Sequence, residues 1–443
     1  MTHMEQMLAW LGRHRDHDVI KIVTGVRGCG KSSLIDRYAE SLVASGVEPD
    51  HILRVDFEHP GNRNLHTPED LMDLVDARTP PEGRAYLLLD EICELQEFDA
   101  ALGGLFALKR HDIVATCSNR RPVSERFSEY LSGRYVYAEM MTPAFRELPA
   151  RKNATFERRL EDCLHYGALP YTFNLRDTPR DIGIYLGGLW NTILVKDILT
   201  RNRMADSRFT ERLLERIYSR LGETESLRKI GADATIDGHE AAPNTVLSYI
   251  EALDESMLVR RVPKYDAFLG ETAKGGYRFY LADLALGRTR YGDFLGDPMN
   301  ALRNLIFLEL VGRGYKVFCG RYDDEDFDFV TLAGEQVHCW QFAPETINGR
   351  IPAAVLGPFK RMPRDILKTV ITRGALPRKG VPGIEFSTLE DFLLGKDCSY
   401  YDITKEWSMN ICENINYPPP PENSTCHLPS DWINAIMVAH DSS

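Results

Sequence analysis

The run Gly25-Val26-Arg27-Gly28-Cys29-Gly30-Lys31-Ser32, followed by Ser33, holds the residues of this chain with the clearest chemistry. It fits G-x-x-x-x-G-K-[ST] at every fixed position. Glycines at 25, 28 and 30 permit unusual torsions and close approach of an anion to the backbone. The amides of such a loop, and of the helical turn after it, converge on a phosphate with the helix dipole behind them. Lys31 can reach the outer phosphates of a triphosphate, and the Ser32 hydroxyl can ligate Mg²⁺. A second acidic feature, Ala85-Tyr86-Leu87-Leu88-Leu89-Asp90-Glu91, ends an apolar run in two carboxylates. Asp90 is expected to hold Mg²⁺ through water. Glu91 is expected to orient and deprotonate an attacking water.

Two further groups are candidates. Ile113–Thr116 leads into Cys117-Ser118-Asn119, where Ser118 or Asn119 could sense the terminal phosphate or cap a turn. Leu131-Ser132-Gly133-Arg134 sets an arginine on a glycine turn, from which it could stabilise transition-state charge in its own or a neighbouring subunit. Cys29 lies near Lys31 at a helix start, a setting that can lower a thiol pKa, but a small residue tolerated at a variable loop position is the expected reading.

These residues need a strand before the loop, a helix after it, and an acidic strand nearby. Apolar runs at 19–24, 52–57, 85–89, 113–116 and 135–137 alternate with helical patterns, which predicts a parallel sheet flanked by helices. Residues 1–18 read as a short amphipathic helix with Met4, Met7, Leu8 and Leu11 on one side. Residues 150–290 are mostly helical. Helices around 226–230 and 244–250 followed by Leu258–Val262 suggest a winged helix. Its second helix lacks Lys and Arg and ends in Glu251, Asp254 and Glu255, so a protein contact is expected rather than DNA; Arg260, Arg261 and Lys264 are the residues that could touch phosphates. Strand-like runs return between 316 and 371.

Bulk properties set limits. The 443 residues are 43% hydrophobic and 27% charged, with a formal net charge of −12, which argues against a broad nucleic-acid-binding face. Nine cysteines, none in a C-x-x-C pair, read as the thiols of a reducing cytosol. No leader is visible, and apolar runs fall short of the ~20 residues of a membrane helix, so a cytoplasmic protein without membrane contact is expected.

The ordered segments GVRGCGKSSL (25–34), YLLLDEICELQEFDAAL (86–102), ATCSNRRPVSERFSEYLSGRY (115–135), TPAFREL (142–148), HYGALP (165–170), VKDILTR (195–201), Tyr280-x-x-Asp283, RNLIFLELVGRGY (303–315) and DFDFV (326–330) resemble a widespread prokaryotic family of AAA-like ATPases with a C-terminal domain of undefined role. The resemblance implies an α/β fold: a P-loop parallel sheet, then a winged-helix region, then a smaller α/β domain like restriction endonucleases. Expected boundaries are 1–150, 151–295 and 296–396, with a tail at 397–443. It implies ATP and Mg²⁺ as cofactors, binding by residues 25–33, metal contacts from Ser32 and Asp90, and Asn119 and Arg134 beside Glu91 as catalytic residues. The expected activity is ATP hydrolysis used as a switch on a macromolecular partner. An ATP-regulated nucleic-acid binder is the alternative, and self-association through Arg134 is open.

A nucleotide kinase shares the loop, but Glu91 directly after Asp90 suits water activation. No Asn-Lys-x-Asp element for GTP occurs. In the C-terminal domain Asp328 stands where a metal nuclease needs a carboxylate, but Cys339, Gln341 and Arg303 replace its partners, so a non-catalytic domain is expected.

Overall fold

A computed structural model describes residues 2–396, apart from 121–130, 132, 151–152, 176–177, 203–205, 234–241, 294–296 and 335. The expected tail at 397–443 and Ser132 lie outside the described residues. The first sheet holds β1 (Ile20–Thr24), β2 (Ile52–Asp56), β3 (Ala85–Asp90), β4 (His111–Cys117) and β5 (Tyr135–Glu139), all parallel, in the order β2-β3-β4-β1-β5. Every residue of β1, β3 and β4 is buried. Continuous apolar runs therefore replace alternation, as both faces carry helices. The last strand in the sequence before the loop-bearing helix thus gains β4 as a neighbour, and β4 separates it from the acidic strand. Consequently the C-terminal ends of β1, β3 and β4 lie side by side.

Helix Lys31–Ala44 packs Leu34, Ile35 and Tyr38 on one face of the sheet with Leu88 and Val114. Leu102 and Leu105 of helix Phe98–Ala107 cover the other face with Ile22, Leu89 and Ile113. The first helix, His3–Arg13, is shorter than the expected 1–18 and begins with a Thr2/Glu5 capping box. It buries Met7, Trp10 and Leu11.

The cysteines depart from expectation. Cys93 and Cys117 are disulfide-bonded, with Cα atoms 5.9 Å apart. Cys93 lies in the short turn after β3 and Cys117 ends the adjacent β4, a proximity that sequence spacing does not show.

Helices Phe156–Tyr166, Pro179–Thr192, Ser207–Ser219, Leu227–Asp233, Pro243–Glu255 and Leu284–Tyr291 form the middle of the molecule. Pro179–Thr192 continues directly as an eight-residue π-helix, Ile193–Thr200. The combined Pro179–Thr200 helix is long and apolar enough to span a membrane by length and composition, contrary to the sequence expectation. Ile182, Leu186, Trp190, Ile193, Leu194 and Ile198 are nevertheless buried in the protein core.

A seven-stranded sheet completes the fold: β6 (Val259–Asp266), β7 (Glu271–Leu281), β8 (Lys316–Tyr322), β9 (Glu325–Ala333), β10 (Gln336–Ala343), β11 (Leu367–Thr372) and β12 (Glu385–Thr388), in the order β12-β11-β10-β9-β8-β6-β7. The hairpin expected as a wing is therefore part of this sheet, with β6 parallel to β8. The boundary expected at 295/296 cuts through one continuous sheet, whose core stacks Tyr280 on Phe307 at 4.4 Å.

Lys21 of β1 and Asp112 of β4 form an ion pair at 2.8 Å with both side chains fully buried. Asp112 also accepts the Asp16 amide at 2.7 Å. Asp112→Ala should lower the unfolding free energy of this domain by about 3 kcal/mol, because Lys21 is left as an uncompensated buried cation. Denaturant titration followed by far-UV circular dichroism measures it; a loss below about 1 kcal/mol would contradict the assignment.

Candidate functional site

The glycine loop leaves β1 at its C-terminal end and enters helix Lys31–Ala44. Gly28 and Gly30 have φ of +85° and +113°, values that glycine adopts without strain. At Gly25 any Cβ would lie 2.5 Å from the Met140 carbonyl oxygen. The helix starts at Gly30 without a side-chain cap, so its first amides have no intrahelical acceptor. This is a cradle for an anion.

Lys31 is buried. Its Nζ donates to the Gly25 carbonyl at 3.0 Å and to Ser118 Oγ at 2.8 Å, and it lies 3.2 Å from Glu91 Oε1. Ser118 Oγ in turn donates to Glu91 Oε1 at 2.5 Å, and the Ser118 amide donates to Oε2 at 2.9 Å. Glu91 has a left-handed backbone, φ 55°, at the turn after β3. Burial alone would raise its pKa; the charges of Lys31 and Arg27 and the Ser118 hydrogen bonds instead hold it at about 2. Burial likewise opposes the charge on Lys31, and the Glu91 carboxylate reverses this, raising its pKa. Glu91 is thus a carboxylate, and Lys31 an ammonium, throughout the physiological range.

Asp90 Oδ1 accepts from Thr116 Oγ1 at 2.5 Å, and the same hydroxyl oxygen accepts the Glu91 amide at 3.0 Å. Thr116 therefore ties the two acidic residues to β4. Burial raises the pKa of Asp90, which Thr116 and the nearby Ser32 hydroxyl oppose. Ser32 and Asp90 supply only oxygen donors, side by side next to the loop, a set that suits Mg²⁺ and phosphate oxygens. Val26 is buried, Ser32 and Ser33 are exposed, and Arg27 is nearly enclosed by carboxylates.

Three further candidates fall as follows. Ser118 engages Lys31 and Glu91, and Asn119 is buried next to it. The two share one strand end, and only the structure shows which residue turns toward the loop. Arg134 lies at the opposite end of the sheet: its carbonyl accepts the Ile20 amide at the start of β1, whereas the loop follows the end of β1. A five-residue strand spans roughly 16 Å. Arg134 is exposed there and out of reach of phosphates on its own chain, so the reading that stays open is action on a neighbouring subunit. Cys29 is buried, which pushes its thiol pKa up rather than down.

The cations expected on a wing are occupied. Arg260 pairs with Glu139, Lys264 pairs with Asp326 at 2.6 Å, and Arg261 lies over the Tyr277 ring, 5.1 Å from its centre. In the second sheet Arg303 Nε lies 2.8 Å from Asp328 Oδ1, while Oδ2 accepts the Phe342 amide at 2.6 Å. Both carboxylate oxygens of Asp328 are thus engaged by protein groups. Gln341 Oε1 accepts the Asp328 amide, and Cys339 is buried with its pKa raised to about 12.

Residues 17–149 match the family described as "AAA domain", and residues 157–293 match one described as a domain of unknown function. An uncharacterised protein of Haemophilus influenzae is 27% identical over 400 residues, covering 89% of this chain and 99% of its own. Among solved structures, the Orc1 protein of Aeropyrum pernix in complex with DNA aligns with TM-score 0.26 and 14% identity over 71% of this chain and 94% of that one. AMPPCP-bound DnaA from Aquifex aeolicus aligns with TM-score 0.26 and 15% identity over 56% of this chain and 86% of that one. Scores this low carry no argument about function.

Glu139 receives both Arg260 and Arg120, the latter at 3.2 Å. Burial would raise its pKa, but these two cations hold it at about 2 against 4.5 for a free glutamate. The stabilisation is therefore complete above pH 4.5 and is lost as the pH falls toward 2. Glu139→Gln should cost on the order of 3 kcal/mol at pH 7, and the deficit should shrink below pH 4.5. Unfolding free energies across pH measure it; a deficit independent of pH would refute the account.

Proposed function

We propose that this chain, whose residues 17–149 form an AAA-type P-loop domain, binds ATP with Mg²⁺ and hydrolyses it to ADP and phosphate. The observation that carries this reading is the buried triangle of Lys31, Glu91 and Ser118 at the mouth of an uncapped glycine loop. A lysine, a carboxylate held ionised, and free helix amides are the groups that hydrolysis of a phosphoanhydride requires. Mg²⁺ would be held by Ser32 and, through water, Asp90, and would supply charge neutralisation for the phosphates. Lys31 would bind phosphate oxygens in place of its present partners. Glu91, released from Lys31, would orient water and accept its proton. Thr116 keeps both carboxylates in register with β4, and Ser118 is in position to steady Glu91 between cycles.

The cycle would act as a conformational switch on a macromolecular partner. A protein partner is favoured over DNA, because Arg260 and Lys264 are neutralised by carboxylates and β6 is covered by β8. The Arg303–Asp328 pair favours a recognition or assembly role for the second sheet over metal-dependent cleavage. The cytoplasm, where ATP is abundant, fits such a cycle.

Lys31→Ala should lower affinity for Mg-ATP at least about 100-fold in calorimetry, since a charge-assisted phosphate contact and the balance at Glu91 are lost together. Glu91→Gln should bind Mg-ATP within about threefold of wild type, yet release phosphate at least about 100-fold more slowly. Wild-type turnover by Glu91→Gln would overturn its role as base.

A further inference from the structure

Arg27 is the third residue of the loop, and its guanidinium is not free. Nε and Nη2 lie 2.8 and 2.9 Å from the two carboxylate oxygens of Asp197, and Nη1 lies 2.8 and 2.9 Å from those of Glu58. Asp197 belongs to the π-helix Ile193–Thr200, and its side chain is 1% exposed. The network continues. Lys196 of the same π-helix lies 2.5 Å from Glu58 and 3.0 Å from Glu94; Arg201, just beyond it, lies 2.6 Å from Glu94 and 3.7 Å from Asp197. Glu94 sits in the short turn that starts at Glu91, its amide donating to the Glu91 carbonyl at 3.0 Å. Three cations and three carboxylates thus join the glycine loop, the end of β2, the acidic turn and the helix over the loop. That helix is close: a Cβ at Gly28 would lie 3.1 Å from Leu189 and 3.3 Å from the Tyr185 hydroxyl.

Two features make this junction a device rather than a brace. Eight residues of π-helix are rare and less stable than α-helix, and such segments gather at functional sites. Arg27 also belongs to the loop itself, four residues before Lys31, so a change of partner at Arg27 and the filling of the loop involve the same short stretch of backbone. We propose that Arg27 is a second cation for the terminal phosphate of ATP, held in reserve by Asp197 and Glu58, and that its transfer to the phosphate releases the π-helix. The proposal rests on the ATP reading above and adds to it a coupling between the loop and the helical region. When Arg27 turns to the phosphate, buried Asp197 loses its bidentate partner and retains only Arg201 at the longer distance. A buried carboxylate left in that state is costly, so the helix must shift until Asp197 finds a new partner or water. ADP, lacking the terminal phosphate, leaves the latch shut.

The test uses the full chain, Mg²⁺, ADP and β,γ-methylene-ATP. Hydrogen exchange at the amides of 193–201 should be about tenfold faster with the analogue than with ADP, and Arg27→Ala should abolish that difference. Asp197→Asn should raise the ratio of analogue to ADP affinity about tenfold in calorimetry, because Arg27 is no longer withheld. Glu58→Gln, which keeps the side-chain shape at a partly exposed position, should raise the same ratio about threefold. Equal exchange with both nucleotides, or an unchanged affinity ratio in Glu58→Gln, would overturn the latch while leaving the ATP reading intact. Binding of neither nucleotide to wild type would remove the ATP reading and the latch with it.

Discussion

The contact between Lys31 and Glu91 is the constraint around which the first domain is organised. Each side chain is buried, and each would be costly there alone. Together, and with Ser118 satisfying what remains, they form a charged pair held at the meeting point of three strand ends. That meeting depends on sheet order. Because β4 lies between β1 and β3, the loop after β1 and the acidic turn after β3 both face the end of β4, which supplies Thr116 and Ser118. An adjacent pairing of β1 with β3 would leave no strand to hold either carboxylate. An anion entering the loop competes for Lys31, and the same event alters the environment of Glu91. Ligand binding and activation of the base are in this way one electrostatic exchange.

The remainder of the molecule is tied to that exchange through charge as well as apolar packing. Arg27 joins the loop to the π-helix, and Glu94 joins the acidic turn to Lys196 and Arg201. On the far side of β1, Glu139 at the end of β5 holds Arg120 and Arg260, and Arg120 also reaches Asp254 at 3.3 Å. The hairpin that carries Arg260 is built into the seven-stranded sheet. A movement begun at the loop would therefore meet two rigid connections, one through the helices and one through this hairpin. In the second sheet the carboxylate of Asp328 binds Arg303 and the Phe342 backbone amide, which joins helix Pro298–Gly312 to β9 and β10.

Much of the first domain was legible in the chain because local signals sufficed. Five apolar runs of strand length, separated by helical patterns, predicted five parallel strands, and each was found. The glycine loop, Asp90 and Glu91 were legible from spacing alone, since their chemistry demands a strand–turn–helix and a strand–turn context. In the second sheet Arg303, Cys339 and Gln341 were legible as unlike the partners of a metal-binding carboxylate, whereas the pairing of Arg303 with Asp328 was not. Less was legible where long-range contacts decide. The spacing of Cys93 and Cys117 gave no hint of their bond. Ser118 and Asn119 were equal candidates because a strand end can turn either way. Whether Arg134 serves its own chain was not legible until the parallel register set it at the opposite end of β1 from the loop.

The sequence by itself determined which groups are available: an anion-cradling loop, a lysine, a hydroxyl and two adjacent carboxylates, all set by residue type and by spacing along single elements. Tertiary structure decided which of these meet. Asp197 is 170 residues from Arg27, and Ser118 is 87 from Lys31, yet both pairs share hydrogen bonds. Such partnerships follow from strand order and from how one helix crosses a loop. Those are settled by burial summed over the whole core, a quantity that no local pattern contains.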